Sequence, residues 1–339
     1  MIVVRAPLRI SFVGGGTDLR QFYRKYPGRA LSATIDKFVY LTIKTTPLVN
    51  RFIVKYQKIE SVDHPKKLKH NRVREALLDM EIVKDGIEIG SFADMPAKTG
   101  LGSSSSFSVA LMKGLHAFQG KRLSAGEAAE LASKLEIDLL KEPIGKQDQY
   151  AAAYGGFNIF QFNADESVDV EPILLDYKKR AELEDHLILF FTGITRPASK
   201  VLKKQSEKVD DHFETYKQMS DSVFDCKKIL LAGDIKGLAK MLNDGWKRKK
   251  SLTPNISNTV IDGLFEAGLR GGAWGGKILG AGGGGCLLFI APPKKHDAIR
   301  ATMKRMASRN KLKDFQEIPC SFTQSGAEVL YNSYNPALA

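Results

Sequence analysis

No apolar run in this 339-residue chain reaches membrane-spanning length, so the sequence offers no candidate transmembrane helix. Cysteine is scarce: Cys226, Cys286 and Cys320 are odd in number and widely spaced. They make neither a disulfide framework nor a metal cluster, and a reducing cytoplasm is the expected compartment. Met1–Pro7 reads as a short strand, without the charged leader and long apolar core of an export signal. Internal repeats, low-complexity linkers, helix-turn-helix, zinc-finger and aromatic RNA-binding signatures are all missing. Acidic residues are in deficit, 38 against 51 Lys and Arg, for a formal charge of +13. Such an excess suits nucleic acid or substrates carrying several phosphates, and the missing signatures leave the second. Between Lys294 and Lys313 eight basic residues face one Asp, with His296, Arg300 and Lys304 on one helix face. That stripe reads as a solvated face.

Glycine and serine, by contrast, are concentrated in three places. The most informative is Pro96–Ser106, where Gly100, Gly102 and four serines precede an amphipathic helix carrying Phe107, Ala110, Leu111, Leu115 and Phe118. A helix start offers free N–H groups and partial positive charge, a ready cradle for phosphate. The serines are expected to cap that helix. The Gly-Lys-Ser/Thr ending of the Walker loop is absent, so the cradle is of another kind. The second segment, Pro7–Asp18, runs from an apolar strand into Gly14, Gly15 and Gly16, then Thr17 and Asp18, which offer groups for hydroxyls. Arg9 in that strand is costly unless paired, which points to a site. The third places Gly282, Gly283, Gly284 and Gly285 before the apolar Cys286–Ile290, a pattern for close backbone packing.

Strands are expected at Val3–Ala6, Leu8–Val13, Val39–Thr45, Phe52–Tyr56, Ile87–Ser91, Gly155–Phe162, Val168–Leu175, Leu187–Phe191, Cys286–Ile290 and Ala327–Tyr331. Helices are expected over 66–80, Ser124–Leu140, 198–250 with a break near Gly233, Ile256–Gly268 and Lys295–Ser308. Ser124 and Glu127 form a capping box. Residues 176–186 read as a charged turn and the weakest junction. Strands and helices interleave without βαβ regularity, which predicts an α+β fold.

The three motifs, in this order, resemble those of the GHMP kinases over essentially the whole chain. Galactokinases and mevalonate kinases carry Gly-Glu-His where this chain has Gly14–Asp18. The form here, with Glu142–Tyr150 and Gly155–Gly156, is similar to the branch acting on D-glycero-D-manno-heptose 7-phosphate. The resemblance implies an N-terminal lobe (1–180), a ferredoxin-like C-terminal lobe (181–339) and an active site between them. It implies ATP and Mg²⁺, and transfer to the anomeric hydroxyl of the heptose 7-phosphate, giving a 1,7-bisphosphate for nucleotide-activated heptose and surface polysaccharide. Asp148 is then the base that faces the hydroxyl. Arg9 holds it ionised or neutralises the transferring phosphoryl group. Lys98, Gly100, Leu101, Gly102, Ser103, Ser104, Ser105 and Ser106 meet the nucleotide phosphates. The metal falls to Glu136 with Ser103 or Ser104; Asp138, two residues on, cannot share its helix face. Gly14, Gly15, Gly16, Thr17 and Asp18 meet the sugar, and Gly282–Gly285 shape the site. Thr195 and Arg196, after a buried strand, suit a substrate phosphate. Arg20, Arg24, Lys25 and Arg29 lie near the sugar motif, and Lys277 near the nucleotide motifs. The partners implied are a small sugar phosphate and ATP, with no nucleic acid and no membrane; a homodimer is allowed. Rival readings are a kinase of an unphosphorylated sugar such as fucose or galactose, and a non-catalytic sugar-binding regulator. A basic pocket beyond the sugar would separate the first. Retention of Arg9, Glu136 and Asp148 together speaks against the second.

Overall fold

The computed structural model describes residues 1–196, 198–253 and 256–334. Two long antiparallel strands, β1 (Ile2–Val13) and β2 (Gly28–Thr45), form the spine of the first sheet. In β1 the even-numbered residues from Ile2 to Phe12 are apolar and buried. Successive side chains alternate, so Arg9 and Ser11 face the other way. Pro7, which donates no N–H, is tolerated where the register slips and Asp36 and Lys37 of β2 loop out. β1 is thus one strand, not the two expected pieces. β2 begins eleven residues before the expected Val39 (39 − 28).

One edge of β2 serves two strands. Val39–Thr45 pairs with β5 (Ile87–Ala93), which leads on to β3 (Phe52–Lys55) and β4 (Ile59–Val62). Gly28–Ala33 pairs with β6 (Phe157–Phe162), followed by β7 (Val168–Pro172). A second, four-stranded antiparallel sheet has the order β11 (Gln316–Glu317), β8 (Leu187–Phe191), β10 (Cys286–Ile290), β9 (Gly275–Ile278). The last strand, β12 (Glu328–Asn332), returns to the first sheet and pairs with β1.

Helices fill the faces of both sheets. The short α1 (Arg20–Tyr23) follows the glycine turn, and α2 (Asn71–Asp79) precedes β5. Next come α3 (Ser103–Phe118), α4 (Ala125–Ser133) and α5 (Gln147–Tyr154), which bury their apolar sides on the first sheet. α6 is Tyr177–His186, a helix where a charged turn was expected; Asp176 caps it by accepting from the Lys179 N–H. α7 (Ala198–Glu207), α8 (Phe213–Ala232), α9 (Ile235–Leu252), α10 (Thr259–Arg270) and α11 (His296–Arg309) complete the chain. Apolar residues of α8 and α9 join Leu8, Ile10 and Phe12 to Leu288 and Ile290, so one core spans both sheets. The expected α+β architecture is present. Among the described residues no helix is long and apolar enough to cross a membrane. Burial pushes the Cys226 thiol up to about 12, and Cys286 and Cys320 upward as well, as inert structural thiols require.

Candidate active site

The Ser124–Glu127 capping box forms, but the expected helix to Leu140 does not continue as α-helix. From Lys134 to Leu139 the chain widens into a π turn, with the Leu140 N–H reaching the Leu135 carbonyl five residues back. π turns of this kind re-aim side chains. The one here carries Glu136, whose carboxylate is wholly buried. It accepts from Ser105 Oγ at 2.9 Å, from the Gln149 side-chain amide and from Arg72 Nε at 3.1 Å. Arg72 also grips Glu142 through two contacts of 2.7 and 2.8 Å. Burial, with the Glu136 carboxylate adding to it, pushes Glu142 above its ordinary value. One guanidinium therefore occupies the space between two carboxylates. These are hard oxygens, and with the neighbouring serine hydroxyls they are the donor type Mg²⁺ takes. Glu136 itself does not border the cavity and its oxygens are taken by Arg72, Ser105 and Gln149, so these donors suit a divalent cation only where it displaces Arg72.

The serine loop is built around left-handed glycines. Gly100 and Gly102 have φ of +78° and +80°. A Cβ on Gly100 would stand 2.5 Å from the Leu279 carbonyl oxygen. Gly102, not a serine, is the N-cap of α3. The first helical bond runs from the Ser106 N–H to its carbonyl, leaving the N–H groups of Ser103, Ser104 and Ser105 ahead of the helix ladder. The serines thus sit inside the first turn. Ser106 Oγ donates to the Pro7 carbonyl at 2.7 Å, locking the helix onto β1. Leu101 is fully buried and its carbonyl accepts the Arg9 N–H. Both residues hold the loop in place. Ser103, Ser104, Ser105 and the exposed Lys98 border a cavity of about 840 Å³.

Arg9 meets this loop from β1. Its Nη1 donates to the Gly100 carbonyl at 2.7 Å. Its Nε and Nη2 form a bidentate pair with Asp148, at 2.7 and 2.6 Å. Asp148 lies in the first turn of α5, and Asp18 beside it is anchored by Gln147. The Asp18 carboxylate accepts from the Gly16 N–H (3.0 Å), the Gln147 N–H (3.1 Å) and Gln147 Nε2 (3.0 Å). Burial raises its pKa, the Gln147 N–H opposes that, and the Asp148 charge adds to it. Arg9, Asp18, Asp148, Gly15 and Gly16 all border the cavity.

Gly14 and Thr17 do not. The sequence placed them at the sugar; instead they close the turn. A Cβ on Gly14 would meet the Arg29 carbonyl at 2.0 Å, and Thr17 Oγ1 sits between the Gly14 and Arg29 carbonyls. Thr195 and Arg196 were read as substrate ligands, yet neither borders the cavity. Arg196 Nε donates to the Gly282 carbonyl at 3.1 Å, over a Gly283 whose Cβ would overlap the guanidinium. Gly282–Gly285 stack as backbone: the Gly283 N–H reaches the Ile256 carbonyl and the Gly285 N–H the Ile194 carbonyl. Arg20, Arg24, Lys25 and Arg29 are each paired with a carboxylate, of Asp138, Glu166, Asp210 and Asp221, and stand off the cavity.

Several cavity residues escaped the sequence, among them Lys249, Gln205 and Arg72. Lys249 sits on the stripe Leu238–Leu242–Trp246–Lys249–Leu252, every member buried, so helical spacing held the signal. Gln205 of α7 is 2% exposed, and its side-chain N–H₂ has no hydrogen-bond partner among the described residues. Arg72, described above, lies in the 66–80 stretch that was read only as a helix. Tyr56, His70, Phe92 and Phe107 also border the cavity, with His70 packed against both Tyr56 and Phe107 as an aromatic wall. The His70 ring lies 5.1 Å from Phe107, and burial lowers its pKa.

A helix start with free N–H groups, an Arg–Asp pair and an aromatic wall thus border one cavity. The family model described as GHMP kinases N terminal domain matches residues 69–156, and that for GHMP kinases C terminal matches 226–309. A D-glycero-alpha-D-manno-heptose 7-phosphate kinase of Campylobacter jejuni is 30% identical over 96% of this chain and 98% of its own. A crystal structure of a D-glycero-D-manno-heptose 1-phosphate kinase from Bacteriodes thetaiotaomicron superposes with TM-score 0.79 at 27% identity, covering 98% of this chain and 99% of that one. Streptococcus pneumoniae phosphomevalonate kinase, in complex with phosphomevalonate and AMPPNP, shares the fold at 14% identity, TM-score 0.72 and coverage of 97% and 100%. The chain belongs to the GHMP kinases. It is a sugar kinase, and kinases of this family use ATP.

Proposed function

We propose that this kinase phosphorylates the anomeric hydroxyl of D-glycero-D-manno-heptose 7-phosphate, giving the 1,7-bisphosphate. The observation that carries the phosphoryl-transfer reading is the Arg9–Asp148 pair set against Gly102 of the phosphate cradle, and the heptose 7-phosphate assignment is supported by the likeness to the Campylobacter jejuni kinase. Asp148 orients the sugar hydroxyl and takes its proton as the oxygen–phosphorus bond forms and ADP leaves. Arg9 fixes the direction of that carboxylate and balances charge at the cradle. Asp18 accepts from sugar hydroxyls, and the Gln205 amide supplies a donor for one of them. Ser103, Ser104, Ser105 and Lys98 receive the nucleotide phosphates, and the aromatic wall suits the base. Ser104 and Glu136 are the proposed Mg²⁺ ligands; when bound, the ion neutralises phosphate charge. The lobes divide near residue 180, apart from β12, which returns to the first sheet. The product would feed nucleotide-activated heptose for surface polysaccharide, in the cytoplasm.

The relatives' names give two phosphorylation patterns, so the decisive test is ATP-dependent ADP release on a panel. It holds the heptose 7-phosphate, the heptose 1-phosphate, mannose 6-phosphate, fucose, galactose and mevalonate. Turnover confined to the 7-phosphate, with the 1,7-bisphosphate as product, is expected. Turnover on the 1-phosphate would overturn the C1 assignment, and turnover on a free sugar would overturn the 7-phosphate requirement; either keeps the kinase.

A further inference from the structure

Two lysines lie deep in the cavity without a carboxylate partner. Among the described residues neither Lys249 nor Lys277 forms a salt bridge, and both are at least nine-tenths buried. A buried ammonium without a counter-charge is costly, and apolar side chains fill such positions when packing is the only demand. Lys277 explains itself as a strap: its Nζ donates to the Ser11 and Phe12 carbonyls, at 2.9 Å each, tying the second sheet to β1. Lys249 has one such bond, from Nζ to the Gly280 carbonyl at 2.6 Å. An ammonium has three N–H groups, so donors remain for a further acceptor.

The contacts around Gly280 set Lys249 beside the serine loop. Its backbone packs on Gly100: a Cβ on Gly280 would stand 2.7 Å from the Gly100 Cα. Arg9 Nη1 donates to the Gly100 carbonyl. Lys249 and Arg9 therefore grip two abutting loops at the cradle, and both side chains border the cavity. Burial lowers the Lys249 pKa to about 8, Arg9 adds to that, and the Asp18 and Asp148 carboxylates oppose it. The ammonium thus feels both candidate substrate-side carboxylates as well as Arg9.

We propose that Lys249 binds the terminal phosphoryl group of the nucleotide as it passes to the sugar. The proposal rests on the ATP-kinase reading but not on the identity of the sugar. Its test is calorimetric binding of ADP and AMP-PNP, in the presence of Mg²⁺, to the wild-type chain and to Lys249→Met. ADP lacks the terminal phosphoryl, so its affinity should stay within about twofold, while AMP-PNP binding weakens about tenfold or more, as loss of a charge-assisted contact requires. Equal weakening of both nucleotides, or of neither, would overturn the proposal. So would a variant that keeps AMP-PNP affinity and loses only that for heptose 7-phosphate, because the lysine would then serve the substrate's own phosphate. No ADP binding by the wild-type chain would sink the nucleotide reading and the proposal with it. Should Lys249→Met fail to fold, Lys249→Gln, which keeps a donor for the Gly280 carbonyl, takes the same measurements.

Discussion

At the residue scale the site turns on charges whose partners are few. Asp148→Asn keeps a polar group of the same size facing Arg9 but removes the proton acceptor. Turnover is expected to fall at least about a hundredfold with AMP-PNP binding retained; steady-state kinetics beside calorimetry checks both. Lys249 gives a pH dependence with a definite sign. Its proton is held less tightly in the folded chain, at about 8, than at the ordinary lysine value of 10.5. The unfolded chain therefore binds more protons between those values, and this group makes stability rise with pH across that window. The preference for AMP-PNP over ADP should fall across the same window as the ammonium is lost. Arg9, Lys277, Asp18 and Asp148 surround it, so the comparison that isolates it is Lys249→Met, in which both trends flatten. Arg9 was legible in the sequence because a guanidinium in an apolar strand demands a partner. Lys249 was hidden in the run Lys247–Lys250, where one residue of four faces inward and only the stripe through Trp246 says which.

At the scale of elements, two devices hold the cradle in shape. Gly100 is left-handed and touches the Leu279 carbonyl, so Gly100→Ala strains the backbone and meets an oxygen at 2.5 Å. A loss of more than about 1 kcal/mol in chemical denaturation, together with weakened ADP binding, is expected. The π turn presents Glu136 to Arg72. Arg72→Met leaves that carboxylate without its cation and should destabilise the fold by about 3–5 kcal/mol in the metal-free protein. Added Mg²⁺ should recover part of the loss, read as a rise in Tm; no response to Mg²⁺ would count against Glu136 as a metal ligand. The capping box at Ser124 was readable because its two bonds are local. The π turn was not, since residues 134–139 keep ordinary helical composition and only packing decides the wider winding. α6 was missed for a related reason: its charged residues resemble a turn, and Leu183 alone of its side chains is buried.

Over the whole molecule the +13 charge sets how anions arrive. Raising ionic strength from about 0.05 to about 0.5 M should lower kcat/KM for a phosphorylated sugar several-fold more than for a neutral one turned over by the same protein. The α+β arrangement was legible from the order of the motifs and the irregular alternation of strand and helix. The last strand was expected at Ala327–Tyr331, but no local pattern announced its partner, because β12 pairs with residues more than 320 positions away. That return has a consequence for how the chain is made. At roughly 5–20 residues per second, some tens of seconds separate the emergence of β1 from that of β12. During synthesis the outer edge of the strand bearing Arg9 stays open, an invitation to wrong pairing that a chaperone or fast early packing of α3 must hold off. The kinase cannot finish its first sheet until Asn332 has left the ribosome.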